Sequence, residues 1–379
     1  MIYFDNNATT QVAKEVFDAM KPFLTNFYCN PSSSYSISRE SKDAIKQARR
    51  HVSKLLNTSD PNEIVFTSGG TESDNWAIFG TLEAQREKTH IITTRVEHEA
   101  VRKVCEKLES NGFEITWLDV NQKGLLDLDQ FKDSLRKDTA LVSIMLANNE
   151  TGVLFPVKEI AEIIKERSDA IFHVDGVNAV GKIPLDLRNT EIDLFSISGH
   201  KFHAPKGIGA LYIRDGVKLP SLKIGGGQEN GRRAGTEAVH QIVGLGKAAE
   251  IVRDFSPMDK IQNLRDKLEN EILQKFPNSR RNGDRKKRLP NTTNISFENL
   301  NGEVILAKLN DLNVAVSTGS ACNEETHTAS PVLKAMNIPY SQAMGAIRFS
   351  LGRFNKENEI KFVLEHLPKI IEDLKTVSI

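Results

Sequence analysis

At 379 residues the chain is too long for one small core and about right for two joined domains. Lys plus Arg and Asp plus Glu number 50 each, so no overall basic field draws it to nucleic acid or to an anionic membrane, and direct nucleic-acid binding is not expected. Hydrophobic residues at 39% and charged residues at 26% are the profile of an ordinary globular protein, which excludes a disordered or fibrous chain.

The opening Met1-Ile2-Tyr3-Phe4-Asp5 has no basic n-region and no apolar h-region, and nowhere is there a run of about 18 apolar residues. The expectation is a cytoplasmic protein with no membrane contact. Its 3 cysteines, Cys29, Cys105 and Cys322, are widely separated and form no Cys-x-x-Cys pair, which argues against a disulfide framework and against a metal site.

From about residue 60 to 215, short apolar runs alternate with amphipathic stretches. Residues 63–67, 90–94, 140–146, 170–174, 193–197 and 209–213 read as buried strands, and 97–110 and 157–167 carry helical periodicity. Strands alternating with helices predict an α/β fold with a mostly parallel sheet covered on both faces. After Gly225-Gly226-Gly227 the pattern changes. A long helical region, 239–274, leads to candidate strands at 291–297, 314–317 and 346–350, then to a helix over 355–376. Asn355 is its candidate N-cap, and Ile360, Val363, Leu364, Leu367, Ile371 and Leu374 form one apolar stripe. The expected division is a large domain over 16–250 and a smaller α+β domain made of 1–15 with 251–379. The cluster Arg280-Arg281-Asn282-Gly283-Asp284-Arg285-Lys286-Lys287-Arg288 reads either as a solvated loop or as a patch for an acidic partner.

Ligands of such sheets bind beyond the carboxyl ends of the strands, so the residues just past each strand matter most. Ser68-Gly69-Gly70-Thr71 follows one strand and opens a helix; this is either an anion cradle or an ordinary glycine turn. Asp175 ends another strand, as a helix cap or as the partner of a protonated pyridine nitrogen. His98 follows a third, where an imidazole either stacks on a flat ring, moves protons, or is structural. Lys201 lies just past residues 193–197, between His200 and Phe202. Most lysines are solvated stems; one that acts as an amine nucleophile must lose its proton. Cys322 sits in the small-residue segment Ser317-Thr318-Gly319-Ser320-Ala321-Cys322. A Schiff-base lysine together with a nucleophilic thiol points to lifting sulfur from an amino acid.

Several strings, in order over nearly the whole chain, carry a family resemblance. They are Tyr3-Phe4-Asp5-Asn6-Asn7-Ala8-Thr9-Thr10, Phe66-Thr67-Ser68-Gly69-Gly70-Thr71-Glu72-Ser73-Asp74-Asn75, Glu97-His98, Ala147-Asn148-Asn149-Glu150-Thr151-Gly152, His173-Val174-Asp175, Ser198-Gly199-His200-Lys201, Arg232-Arg233-Ala234-Gly235-Thr236 and the Cys322 segment. The chain resembles the cysteine desulfurases of the NifS/IscS type, enzymes dependent on pyridoxal 5'-phosphate (PLP) in the class V branch of the type I aminotransferase-like fold.

The resemblance implies roles. Lys201 would hold PLP, Asp175 would pair with the ring nitrogen and His98 would stack on the ring. Gly70, Thr71, Ser198 and His200 would bind the phosphate, and Thr236 would reach the phosphate of a partner subunit in a homodimer. Asn149 and Arg348 would hold the carboxylate of L-cysteine. Cys322 would become a persulfide, leave alanine behind, and pass sulfur to an acceptor protein serving iron–sulfur assembly, tRNA thiolation or DNA phosphorothioation. Asn178 stands where the family has a Gln that contacts the pyridoxal hydroxyl. Two other readings keep less of this chemistry: a selenocysteine lyase or cysteine sulfinate desulfinase of the same fold, or a non-catalytic PLP-binding scaffold for a sulfur carrier.

Overall fold

The computed structural model describes residues 1–319 and 329–377. Its main sheet has seven strands in the spatial order Ile64–Thr67, Gly209–Ile213, Leu194–Ser198, Ile171–Asp175, Thr139–Ser143, His90–Thr94 and Glu114–Leu118. Neighbours from Leu194–Ser198 to Glu114–Leu118 run parallel, and Gly209–Ile213 is antiparallel to both of its neighbours. The mostly parallel sheet is therefore as expected. Glu114–Leu118 was not anticipated. It is an edge strand whose residues before Leu118 are only partly covered, so Glu114 and Thr116 interrupt the apolar run that marks a central strand.

Side chains alternate across a strand, and here both sets are buried. Ile92 and Val142 join one apolar cluster with Val52, Ile160 and Leu245 from helices Ser38–Leu56, Val157–Arg167 and Val239–Val252. Their neighbours Ile91 and Leu141 point the other way, to Ile78, Val101 and Leu108 of helices Gly70–Ala84 and Glu99–Ser110. Helices thus cover both faces of the sheet, which explains why its strands read as continuous apolar runs.

A separate cluster gathers Phe4, Ile261, Leu268, Ile295, Phe349, Val363 and Leu367. It is built on the antiparallel strands Ser279–Asn282, Thr292–Phe297 and Ala346–Ser350 and on helices Ser256–Lys275, Gly302–Asp311 and Glu357–Val377. The stripe on the last helix packs here: Ile360, Val363, Leu367 and Ile371 are buried, with Leu364 and Leu374 beside them. The short strand Val314–Ala315 pairs parallel with Ile2–Tyr3, so the start of the chain joins this second core.

Three sequence expectations need correction. Residues 239–274 are two helices, because Pro257 in the first turn of Ser256–Lys275 cannot continue a preceding helix. Asn355 is not the N-cap of the last helix; its Nδ2 donates to the Tyr3 carbonyl at 3.1 Å and its Oδ1 accepts from the Gly352 amide at 2.7 Å. The basic cluster is only partly solvated. Ser279–Asn282 is a strand, and Arg288, 3% exposed, donates to the buried Glu269 carboxylate at 2.9 Å.

Candidate active site

A cavity of about 250 Å³ opens where the chain leaves the carboxyl ends of strands Ile171–Asp175 and Leu194–Ser198. Its walls bring together Gly70, Thr71, His98, Asn149, Asp175, Asn178, Ser198, His200 and Lys201, all singled out in the sequence. Asp74, Met145, Ala147 and Val177 complete the lining.

The cradle lies where strand Ile64–Thr67 turns into helix Gly70–Ala84. Gly69 has φ +154°, and a Cβ on Gly70 would stand 2.7 Å from Val177 Cγ2. Glycine is favoured at both points, and the first residues of the helix, Gly70 and Thr71, whose N–H groups have no intrahelical partner, line the cavity. Ser198 ends the facing strand, and the tight turn Gly199–Lys201 then brings His200 and Lys201 to the same place. His200 Nδ1 lies 3.1 Å from Thr9 Oγ1. Burial, with help from the positive charges of Lys201 and Lys206, lowers the His200 pKa to about 4. It is a neutral hydrogen-bonding ring at neutral pH, not a cation.

Lys201 Nζ donates to the carbonyls of Asn7 at 2.6 Å and Ala8 at 3.0 Å. These contacts hold the amine at the cavity wall. His98 Nδ1 accepts the Ala100 amide at 3.1 Å and so caps helix Glu99–Ser110. In the neutral ring the proton is then on Nε2. The ring is reached by solvent yet crowded by protein; burial first, and Lys201 after it, lower its pKa, with Asp175 opposing.

Three buried carboxyl groups stand at the cavity, Asp74 and Asp175 in its lining and Glu97 outside it. Burial raises Asp74 to about 7 and Glu97 well above its ordinary value. Asp175 is raised to about 6, by burial and then by Asp74, while the Val177 amide donates to its Oδ1 at 2.9 Å. Asp175 is the one that carries its charge most readily at neutral pH, and it lines the cavity. Asp74 lies 3.5 Å from His173 Nε2, but burial lowers His173 to about 4, so this is an acid against a neutral ring and not an ion pair.

Arg348 does not line this cavity. Its Nη2 pairs with Asp5 at 2.6 Å and its Nη1 donates to the Asn149 carbonyl at 2.9 Å, so it stands one residue behind the wall. Thr236 is exposed and lines a different cavity with Ser68, Gly207 and Arg233. Cys322 lies outside the described residues. Cys105 is buried, and burial pushes its thiol up to about 12, which leaves it inert; Cys29 is half-buried.

Sequence reasoning gave no role to two residues that the structure places in this network. Asn7 is 1% exposed and contacts Lys201, Lys182 and Asn149. Lys182 is 7% exposed and bonds Asn178. Asn7 lies in a string that was noted but given no role; nothing local marks Lys182 as buried. Together the walls offer an anion cradle, a primary amine, a carboxylate for a cationic partner and an imidazole able to carry a proton. Among the described residues no group of His, Cys, Asp or Glu could hold a metal ion, and no helix is long and apolar enough to cross a membrane.

The model of the aminotransferase class-V family matches residues 2–363. The cysteine desulfurase of Trichormus azollae is 53% identical over 380 residues, covering 100% of this chain and 94% of the relative. The cysteine desulfurase NifS of Azotobacter vinelandii is 48% identical over 379 residues, with 100% and 94% covered. A solved structure of a NifS-like protein superposes with a TM-score of 0.92 at 37% identity, covering 98% of this chain and 100% of the other. The chain belongs to the class-V aminotransferase family, and within it to the cysteine desulfurases. The enzymes of class V use pyridoxal phosphate.

Proposed function

We propose that this enzyme is a PLP-dependent cysteine desulfurase that converts L-cysteine to L-alanine, takes the sulfur onto Cys322 and hands it to an acceptor protein. One observation carries the reading: Lys201, Asp175 and the Gly70, Thr71, Ser198 and His200 cradle line a single cavity in a chain about half identical to cysteine desulfurases. The residues present fit the cofactor. The cradle can be approached closely at Gly69 and Gly70, which carry no side chains, Asp175 is a buried carboxylate suited to a protonated ring nitrogen, and Asn178 Nδ2 is buried with no hydrogen-bond partner among the described residues. When bound, pyridoxal phosphate would supply the electron sink for breaking bonds at the substrate's carbons.

This chain's own residues would do the rest. Lys201 would anchor the cofactor and then, freed by the substrate, carry protons at Nζ. His98, with its proton on Nε2 and its pKa lowered, would pack against the ring and deliver a proton to the substrate carbon that gives up its sulfur. Asn149 and Arg348 would orient the substrate carboxylate. The Cys322 thiolate would accept the sulfur, forming an S–S bond as the substrate's C–S bond breaks, and the electron pair of that bond would stay with the carbon, which takes up a proton to become the methyl group of alanine.

We further propose that the enzyme acts in the cytoplasm as a homodimer, with residues 16–250 holding the cofactor and residues 1–15 with 251–379 carrying the cysteine segment. The cluster that gathers Phe4 with residues between Ile261 and Ile371 supports the division, while Leu289, Val332, Leu333 and Met336 pack into the first cluster and tie the two parts together. The dimer is supported by Thr236, exposed outside the cavity of its own chain, and by Leu222 and Ile224, exposed at 40% and 95% in the loop that leads to it. Purified protein supplied with PLP, L-cysteine and a thiol reductant tests the function. Equal amounts of alanine and sulfide are expected; no alanine from protein that has bound PLP would refute it.

A further inference from the structure

Lys182 is buried beneath the cavity, in the turn that follows strand Ile171–Asp175. Its Nζ donates to three oxygens: Asn178 Oδ1 at 2.8 Å, the Asn178 carbonyl at 2.8 Å and Asn7 Oδ1 at 3.1 Å. Asn7 is also the residue whose carbonyl accepts Lys201 Nζ, so the two lysines are moored to one asparagine. No carboxylate bonds Lys182 among the described residues. The charged or titratable groups around it are Lys201, Arg348 and His200, and, across a smaller cavity, His203, Asp254 and Arg353.

The consequence falls on Asn178. An amide has one accepting end and one donating end, and a lysine ammonium can only donate. Because Lys182 occupies Oδ1, the donating end is turned away from it. That end, Nδ2, is buried and has no hydrogen-bond partner among the described residues, while Asn178 itself lines the cavity beside Lys201. A buried donor without a partner is a costly feature unless a ligand supplies the acceptor. Burial and the charges of Lys201 and Arg348 pull the Lys182 pKa well below its usual value. The three oxygens oppose this, since a neutral amine has two N–H groups for three acceptors.

We propose that Lys182 is a positioning residue: it locks the Asn178 side chain so that Nδ2 donates into the cavity, to the ring oxygen that pyridoxal carries next to the carbon a lysine attacks. The inference rests on the proposed use of pyridoxal phosphate. It also gives the shorter Asn178 a role, because the lysine behind it leaves the amide no freedom to turn. A donor at that oxygen withdraws electron density from it and weakens its hold on the neighbouring proton. Losing the donor must therefore raise the pH at which the visible absorption of bound PLP titrates.

The test is the absorption titration of the PLP-loaded protein and of its Lys182→Met, Asn178→Ala and double variants. Borohydride reduction, which fixes PLP to Lys201, is run on each as the check on cofactor binding. Both single variants should keep PLP and raise the midpoint by about 1 pH unit, a tenfold change in proton affinity and the size of one hydrogen bond to a charged group. The double variant should shift no further than Asn178→Ala. Should Lys182→Met not fold, Lys182→Gln, which keeps one donor, takes its place with a smaller rise expected. A wild-type midpoint in the Lys182 variant beside a shifted Asn178→Ala, or additive shifts in the double variant, would overturn the positioning role. Failure of the wild type to bind PLP at Lys201 would instead overturn the cofactor reading beneath it.

Discussion

Lys201 Nζ lies 2.6 Å from the backbone carbonyl of Asn7, so the amine in the cavity wall is tethered to the start of the chain. The Asn7 side chain extends the tie. Its Nδ2 donates to the Asn149 carbonyl at 3.1 Å and to Thr292 Oγ1 at 2.9 Å, and its Oδ1 accepts from Lys182 and Asn291. The segment around Asn7 thus joins the sheet that supplies Lys201 to the strands of the second core.

Asn7→Ala should accordingly be expensive. It strips partners from several buried polar groups at once, and a loss of about 3 kcal/mol in unfolding free energy is expected. Urea denaturation of the two proteins measures it. A change below about 0.5 kcal/mol, the range of ordinary surface substitutions, would mean that Asn7 is not the hub.

Arg348 offers a planar fork that Lys cannot reproduce. Arg348→Lys should leave PLP absorption unchanged and lower kcat/KM for L-cysteine by about 100-fold, the equivalent of one or two charge-assisted hydrogen bonds. Near-normal efficiency would remove Arg348 from substrate binding.

The buried Asp74 makes the cofactor-free protein sensitive to pH. Its pKa is raised to about 7 in the fold, against about 3.9 when unfolded. A raised folded pKa means that the native state binds the extra proton. The stability it contributes is therefore full below pH ~4 and is lost as pH rises through 7. His173, lowered to about 4, acts in the opposite direction, so the comparison must be with Asp74→Asn in the same background. The variant should gain on the wild type in unfolding free energy between pH 5 and 8. A constant difference across that range would show that Asp74 does not titrate there.

Glu150 meets both flanks of the segment that holds Cys322. Ser330 Oγ donates to its carboxyl, and a Cβ on Gly319 would lie 2.0 Å from its Oε2. Gly319→Ala must push these groups apart, at about 2 kcal/mol for overpacking. The expected result is a lower Tm together with slower sulfur release while PLP absorption is retained; an unchanged Tm would show that the contact yields freely.

Much of this site was legible because parallel sheets put chemistry at strand ends. Asp175, Ser198 and Lys201 each follow an apolar run, and a shared cavity was the natural expectation. Asn7 and Lys182 were not legible. The importance of Asn7 rests on partners far along the chain, such as Ser350, 343 residues away. The burial of Lys182 contradicts the usual exposure of lysine and leaves no periodic trace. Arg288 was hidden in the same way inside a charge run, because the carboxylate that buries it, Glu269, belongs to a helix. Arg348 was recognised, but its place one residue behind the wall depends on Asp5 and the Asn149 carbonyl, which no local pattern reveals.

The most direct measurement is the location of the transferred sulfur. The PLP-loaded protein is mixed with L-cysteine, freed of excess substrate without reductant, digested and examined by mass spectrometry. One added sulfur is expected on the peptide containing Cys322 and none on Cys105, whose buried thiol is pushed up to about 12. The Cys322→Ser protein should bind L-cysteine and change its absorption, yet release no sulfide. Sulfur found on Cys29 or Cys105 instead, or full sulfide release by the serine variant, would contradict transfer through Cys322.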